Sequence, residues 1–171
     1  MRNLLLDRDG TLIRDCGPLV TPADVQLLPG VVEGLQAFVS HGARLFVVTN
    51  QAAIGRGVAT DESYAACMAR LEALLRRAGI GLAGAYMCPD AHDDSPCRKP
   101  NTGLWTRVRA DFADVRADET LVVGDKDTDV LFGRNIGAQT ARVVSGEQPI
   151  GVPADHTVER LDELAAIVLE Q

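Results

Sequence analysis

Two short stretches of the chain place carboxylates directly after apolar residues: Leu4-Leu5-Leu6-Asp7-Arg8-Asp9-Gly10-Thr11 and Leu121-Val122-Val123-Gly124-Asp125-Lys126-Asp127-Thr128-Asp129. Carboxylates gathered in one cleft repel one another, and a hard divalent cation with oxygen ligands relieves that cost. Magnesium suits such a set because it needs few protein ligands and keeps several waters, so Asp7, Asp125 and one main-chain carbonyl would suffice. A calcium loop is the competing reading of the two D-x-D starts, and it fails on position. Its twelfth residue would be Pro18 or Ile136, where a bidentate Glu is required, and its sixth would be Leu12 or Val130 rather than Gly. Two more polar clusters follow. Thr49-Asn50-Gln51 offers a hydroxyl and an amide that either hold phosphate oxygens or cap a turn. Arg98-Lys99-Pro100 sets two cations before a helix, as an anion site or as a solvated basic pair. Residues 79–84 match G-x-G-x-x-G in letters, but they leave a helix and enter a strand, the reverse of a dinucleotide fingerprint, and no P-loop motif occurs.

The elements that must position these clusters alternate in type. Apolar runs at 4–7, 44–49, 85–88, 120–125 and 141–145 read as strands, with the last closing the sheet, and helical patterns at 31–41, 102–112, 129–136 and 161–169 lie among them. Between Thr60 as N-cap and Gly79 as terminator, Tyr64, Cys67, Met68, Leu71, Leu74, Leu75 and Ala78 recur at helical spacing as a core stripe. This order predicts an α/β fold with a central parallel sheet, in which both acidic clusters sit at the carboxyl ends of strands and face one crevice. The 171 residues suit one domain spanning 1–171. A net charge of -7 argues against a nucleic-acid surface. Three apolar residues before Asp7 are too few for a signal-peptide core, and no run nears the roughly 20 apolar residues of a membrane span. The expectation is a cytoplasmic protein that makes no membrane contact. In that reducing setting Cys16, Cys67, Cys88 and Cys97 read as core, metal or redox residues rather than a disulfide frame. His41, at a proposed helix end, and His156, in the late loop, read as caps or surface residues, and Trp105 as part of a helix face.

Taken in order, Asp7-Arg8-Asp9-Gly10-Thr11, Thr49-Asn50-Gln51, Arg98-Lys99-Pro100 and Gly124-Asp125-Lys126 with Asp129 resemble the four motifs of the haloacid dehalogenase superfamily of phosphatases, over nearly the whole chain. The sequence is similar to the branch that holds heptose-bisphosphate and histidinol-phosphate phosphatases, which lack a large cap domain. Ile54-Gly55-Arg56-Gly57, Gly124-Asp125-Lys126 and Gly146-Glu147-Gln148-Pro149-Ile150 look like segments of the heptose enzymes. The resemblance implies a three-layer Rossmann-like fold and a magnesium-dependent phosphatase that removes the 7-phosphate of a heptose 1,7-bisphosphate, a small phosphorylated sugar, through an aspartyl-phosphate intermediate; a monomer is expected. Asp7 would be the nucleophile and Asp9 the general acid and base. Magnesium would be held by Asp7, the Asp9 carbonyl and Asp125, with Asp129 orienting Lys99 or a metal-bound water. Lys99, Thr49 and Asn50 would surround the transferred phosphoryl group, and Arg56, Arg98 and Lys126 would grip the rest of the substrate.

The sequence departs from the family at two places. The family often binds a structural zinc through C-x-H and C-x-C pairs, whereas here Cys88-Pro89-Asp90 and Ser95-Pro96-Cys97 keep one thiol of each. Asp90 or His92 would complete a tetrahedron with Cys88 and Cys97, against a loop ordered without metal. Ala52-Ala53 stands where relatives commonly carry Ser-Gly. Two alternatives accompany the heptose reading: a histidinol-phosphate or other small phosphomonoester phosphatase, and a phospho-accepting receiver domain. Receivers place the lysine after the acceptor, while Lys99 precedes the last acidic cluster, so the order of residues disfavours the second.

Overall fold

The computed structural model describes residues 1–18, 21–144 and 151–170. Its strands are β1 (Asn3–Leu6), β2 (Arg44–Asn50), β3 (Gly84–Cys88), β4 (Thr120–Gly124), β5 (Gln139–Val143) and β6 (His156–Val158). Its helices are α1 (Val31–Ser40), α2 (Ala52–Gly55), α3 (Asp61–Arg77), α4 (Gly103–Asp111), α5 (Asp127–Ile136) and α6 (Leu161–Leu169). The strands form one parallel sheet in the order β3-β2-β1-β4-β5-β6.

Alternation along each strand divides the core between the two faces of the sheet. Leu4, Leu6, Val47 and Val123 pack on α1, α3 and α6, while Leu5, Phe46, Val48 and Val122 pack on α4 and α5. Both faces are thus covered, giving the three-layer α/β architecture. Thr60 closes a capping box with Ser63 at the start of α3, as its N-cap position predicts. Between β1 and α1 the chain makes only a short flap with a 3-10 turn at Pro22–Asp24 and no large insertion.

The chain runs outward from β1 through β2 to β3, then returns to place β4 on the other side of β1. The sheet order therefore reverses beside β1, the place where open α/β sheets bind ligands. Leu6 stands level with Val47 and Val123, so the residues after β1 and β4 emerge side by side.

Three features differ from the reading of the sequence. The sheet does not close on 141–145: β6 adds to β5 beyond it, and His156 lies in that strand rather than in a loop. Only three residues long and partly polar, β6 carries too little alternation to be seen. The family-like segment 146–150, with Ser145, lies outside the described residues. Cys88 and Cys97 are joined as a disulfide, contrary to the thiol reading, because the loop after β3 folds back and brings their Cα atoms within 5.4 Å. Among the described residues no helix is long and apolar enough to cross a membrane.

Candidate active site

Asp7 continues the sheet by one bond, its N–H donating to Val123 O at 2.9 Å, so its side chain leaves from the strand end at a fixed place. Gly10, at φ +80°, then allows a tight turn in which Leu12 and Ile13 N–H both donate to Arg8 O. The turn brings Asp9 to the same cavity as Asp7. On the other side of the switch point Asp125 follows β4 directly, and Asp129 lies in the first turn of α5, where its Oδ2 accepts from Lys126 N at 3.1 Å. That acceptor lets α5 begin at Asp127, two residues before the start read from the sequence.

Lys99 joins the clusters. Its buried Nζ donates to Asp7 Oδ1 at 2.9 Å, Asp129 Oδ1 at 2.6 Å and Val48 O at 2.7 Å, which uses all three ammonium protons. Burial pushes the Lys99 pKa down, but the carboxylates of Asp129 and Asp7 outweigh it and hold the ammonium above its usual range. Asn50 fixes the backbone beneath: its amide donates to Lys99 O at 3.0 Å and accepts from Lys99 N at 2.9 Å.

Asp7, Asp125 and Asp129 each bring an oxygen within 4.8 Å of the others. Both oxygens of Asp129 are spent, on Lys99 and on Lys126 N, whereas the buried Oδ1 of Asp125 has no hydrogen-bond partner among the described residues. Burial first, and the neighbouring Asp7 next, push the Asp125 carboxyl up to about 7. A buried, unpartnered carboxylate oxygen facing a second carboxylate is the donor arrangement of a hard divalent cation, and these residues fit one.

Asp9 is held differently. Arg8 grips it with two bonds, Nε to Oδ1 at 3.1 Å and Nη2 to Oδ2 at 2.9 Å, and Gln51 Nε2 donates to Oδ2 at 2.8 Å. Burial raises the Asp9 pKa, with Asp7 adding to it, and this wins over the lowering effect of Arg8. Gln51 also donates to Thr49 Oγ1 at 3.0 Å and accepts from Arg8 Nη2 at 3.0 Å. Arg8, which is 1% exposed, lies 5.4 Å from the Tyr64 ring centroid. The sequence reading gave Arg8 and Gln51 no role. Their place inside two of the motifs was the signal: Arg8 stands between two acids at the end of β1, and Gln51 directly follows β2.

A cavity of about 290 Å³ is lined by Asp7, Asp9, Asn50, Arg98, Lys99 and Lys126, with Asp129 at its wall. Three predicted residues do not line it. Asp125 lies buried behind it, Thr49 is turned onto Gln51, and Arg56 is exposed at the end of α2. Arg98 is steadied by Asp93 at 3.1 Å, and Lys126 by Asp15 of the flap at 3.2 Å.

The second ligand-like cluster is built differently from the proposed zinc set. Cys88, Asp90 and Cys97 come together without His92, which is exposed and outside the group. The two sulfurs are bonded to each other, and Asp90 Oδ2 accepts from the buried Ser95 Oγ at 2.5 Å. Zinc takes thiolates, and with both sulfurs paired the cluster offers it only a carboxylate.

The chain is similar to known proteins in sequence and in fold. The HAD-hydrolase-like family model matches residues 96–164. A probable D-glycero-D-manno-heptose-1,7-bisphosphate 7-phosphatase of Thermoplasma volcanium is 38% identical over 138 residues, 80% of this chain and 94% of that protein. The D-glycero-alpha-D-manno-heptose-1,7-bisphosphate 7-phosphatase of Burkholderia mallei is 32% identical over 84% of this chain and 79% of its own. The crystal structure of D,D-heptose 1,7-bisphosphate phosphatase from B. bronchiseptica, complexed with magnesium and phosphate, superposes with a TM-score of 0.89 at 25% identity, covering 99% of both chains. With the strand-end carboxylates, the lysine between them and a relative of this identity and coverage, the chain belongs to the haloacid dehalogenase superfamily, as a phosphatase closely related to the D-glycero-D-manno-heptose-1,7-bisphosphate 7-phosphatases.

Proposed function

We propose that this protein is a magnesium-dependent phosphomonoesterase that removes the 7-phosphate of a heptose 1,7-bisphosphate through an aspartyl-phosphate on Asp7. The observation that carries the proposal is the unpartnered buried oxygen of Asp125 beside Asp7, at the reversal point of the sheet. The heptose substrate is taken from the names of the relatives, and the cations of the cavity suit a sugar that carries a second phosphate.

In this reading an Asp7 carboxylate oxygen attacks phosphorus, the bond from phosphorus to the sugar oxygen breaks, and the departing alkoxide takes a proton from Asp9. Asp9, now a carboxylate, then takes a proton from water as that water attacks the acyl phosphate, which releases inorganic phosphate and restores Asp7. The raised pKa of Asp9 suits a group that must give a proton and then take one back. Magnesium, held by Asp7, the Asp9 carbonyl and Asp125, would neutralise the phosphoryl oxygens when bound. Lys99 aims Asp7 by donating to its Oδ1, Asn50 fixes Lys99 through its backbone, and Thr49 steadies Gln51 against Asp9. Arg98 and Lys126 line the cavity where the sugar and its second phosphate would lie, and Arg56 extends the basic rim beyond it. We take 1–171 as one domain acting as a cytoplasmic monomer, without nucleic-acid partners.

The test is a panel containing both anomers of D-glycero-D-manno-heptose 1,7-bisphosphate, histidinol phosphate and simple phosphomonoesters, each with magnesium. Release of one phosphate per heptose, at the highest kcat/KM of the panel, is expected. A preference for histidinol phosphate would replace the substrate assignment, and labelling in a single turnover without further turnover would replace the enzyme by a receiver.

A further inference from the structure

Asp125 is placed almost entirely by its backbone. One carboxylate oxygen has no partner among the described residues, and the other lies 3.9 Å from Lys126 Nζ. That backbone is gripped by a charge the mechanism above does not use. Arg142 lies in β5 between Ala141 and Val143 and is 1% exposed. Its Nη1 donates to the Asp125 main-chain oxygen at 2.8 Å, and its Nη2 donates to Asp127 Oδ1 and to Val152 O at 3.0 Å. Asp127 Oδ2 in turn accepts from Gly151 N at 3.1 Å, and its Oδ1 from Val152 N at 3.2 Å. One guanidinium therefore ties together the loop after β4, the first residue of α5 and the segment before β6.

Burying an arginine in a strand is costly unless its donors are met; here Nη1 and Nη2 are met, while Nε has no partner among the described residues. Thr140, two residues earlier on the same face and equally buried, is likewise polar and is met by Asp155. The planar fork spans two acceptors in fixed geometry, which an ammonium does not do.

We propose that Arg142 is a positioning residue for the divalent cation. By holding the Asp125 carbonyl and clamping Asp127, it sets where the Asp125 carboxylate stands. This rests on the reading that Asp125 helps bind the cation. Removing the outer partners that orient metal ligands typically weakens metal binding by about 10–100-fold.

The test is calorimetric titration of the metal-stripped protein with magnesium alone, so that substrate and turnover play no part. Arg142→Lys, which keeps the charge and loses the fork, is expected to weaken magnesium binding roughly tenfold, or about 1.4 kcal/mol, and to leave KM at saturating magnesium within about twofold of the parent, a split that general loosening of the fold would not give. Asp125→Asn serves as the reference and is expected to lose binding. If Asp125→Asn has lost binding while Arg142→Lys retains the parent affinity, the positioning role is overturned. If Asp125→Asn itself retains the parent affinity, the cation assignment beneath it falls instead. Should Arg142→Lys fail to fold, Arg142→Gln decides, since its single amide cannot span the acceptors that the fork holds at once: a severalfold loss supports the role, and the parent affinity overturns it.

Discussion

Among the described residues, two places gather three side chains of the kind that bind metals, and they behave as opposites. Asp7, Asp125 and Asp129 converge at the strand ends, and Cys88, Asp90 and Cys97 converge in the loop after β3. In the first group one buried oxygen is left over and two carboxylates face each other with a single lysine to share. In the second, the sulfurs satisfy each other and the carboxylate is met by Ser95. Proximity of ligand types is common to both, and unmet charge distinguishes them. A cation gains where electrostatic repulsion is waiting to be relieved, and gains little where the donors are already consumed.

The sharpest way to break this contrast is Asp7→Asn. It removes the proposed nucleophile while keeping size and hydrogen-bonding capacity, and steady-state phosphate release should fall by at least about a thousandfold. Activity near the parent level would remove Asp7 from the chemistry. Lys99→Met comes next. It leaves Asp7 and Asp129 buried without their shared cation, and breaking such a pair destabilises by about 3–5 kcal/mol, which urea unfolding of the metal-free variant would register. Magnesium should return part of that loss, because a second cation then meets the same two charges.

The cysteine loop predicts a smaller effect of a different kind. The bond between Cys88 and Cys97 spans nine residues of sequence, and cutting it should lower stability by about 2–3 kcal/mol by loop-closure entropy. Denaturant melts with and without dithiothreitol measure this, and zinc added to the reduced protein should not restore the midpoint. Full restoration by one zinc per chain would make the two clusters alike after all.

The effect that is smallest at any one step of pH is a slope. In the cation-free protein the folded Asp125 carboxyl titrates near about 7 against an ordinary value of 3.8, so the folded chain holds this proton more tightly than the unfolded one. Its contribution to stability is present in full below the ordinary value and is lost as pH rises towards about 7, at no more than about 1.4 kcal/mol per pH unit. Chemical melts from pH 4 to 8 should show this decline without magnesium and a flatter profile with it.

How much of this was legible in the sequence varied with the kind of atom involved. Asp7, Asp9 and Asp125 sit directly beside apolar runs, so the strand pattern placed them at one end of a sheet, whereas Lys99 lies in the loop between β3 and α4 and was placed only by the resemblance to the family. Arg142 was invisible for the opposite reason: its partners include the main-chain oxygens of Asp125 and Val152, and a carbonyl carries no residue identity. The work of Asn50 was hidden in the same way, since both of its bonds are to the Lys99 backbone. β6 escaped because a three-residue edge strand owes its existence to β5 rather than to its own pattern. The disulfide escaped because a cysteine pair nine residues apart gives the same spelling whether the loop between them closes or not.

Gly124 ends β4 with nothing on its α-carbon, and a Cβ built there would overlap the carboxylate of Asp129. A hydrogen where any other residue carries a carbon is thereby what leaves Asp129 room beside β4, where one ammonium group reaches it and Asp7 together. The least substituted residue type in the chain sets the tolerance to which its most reactive corner is machined.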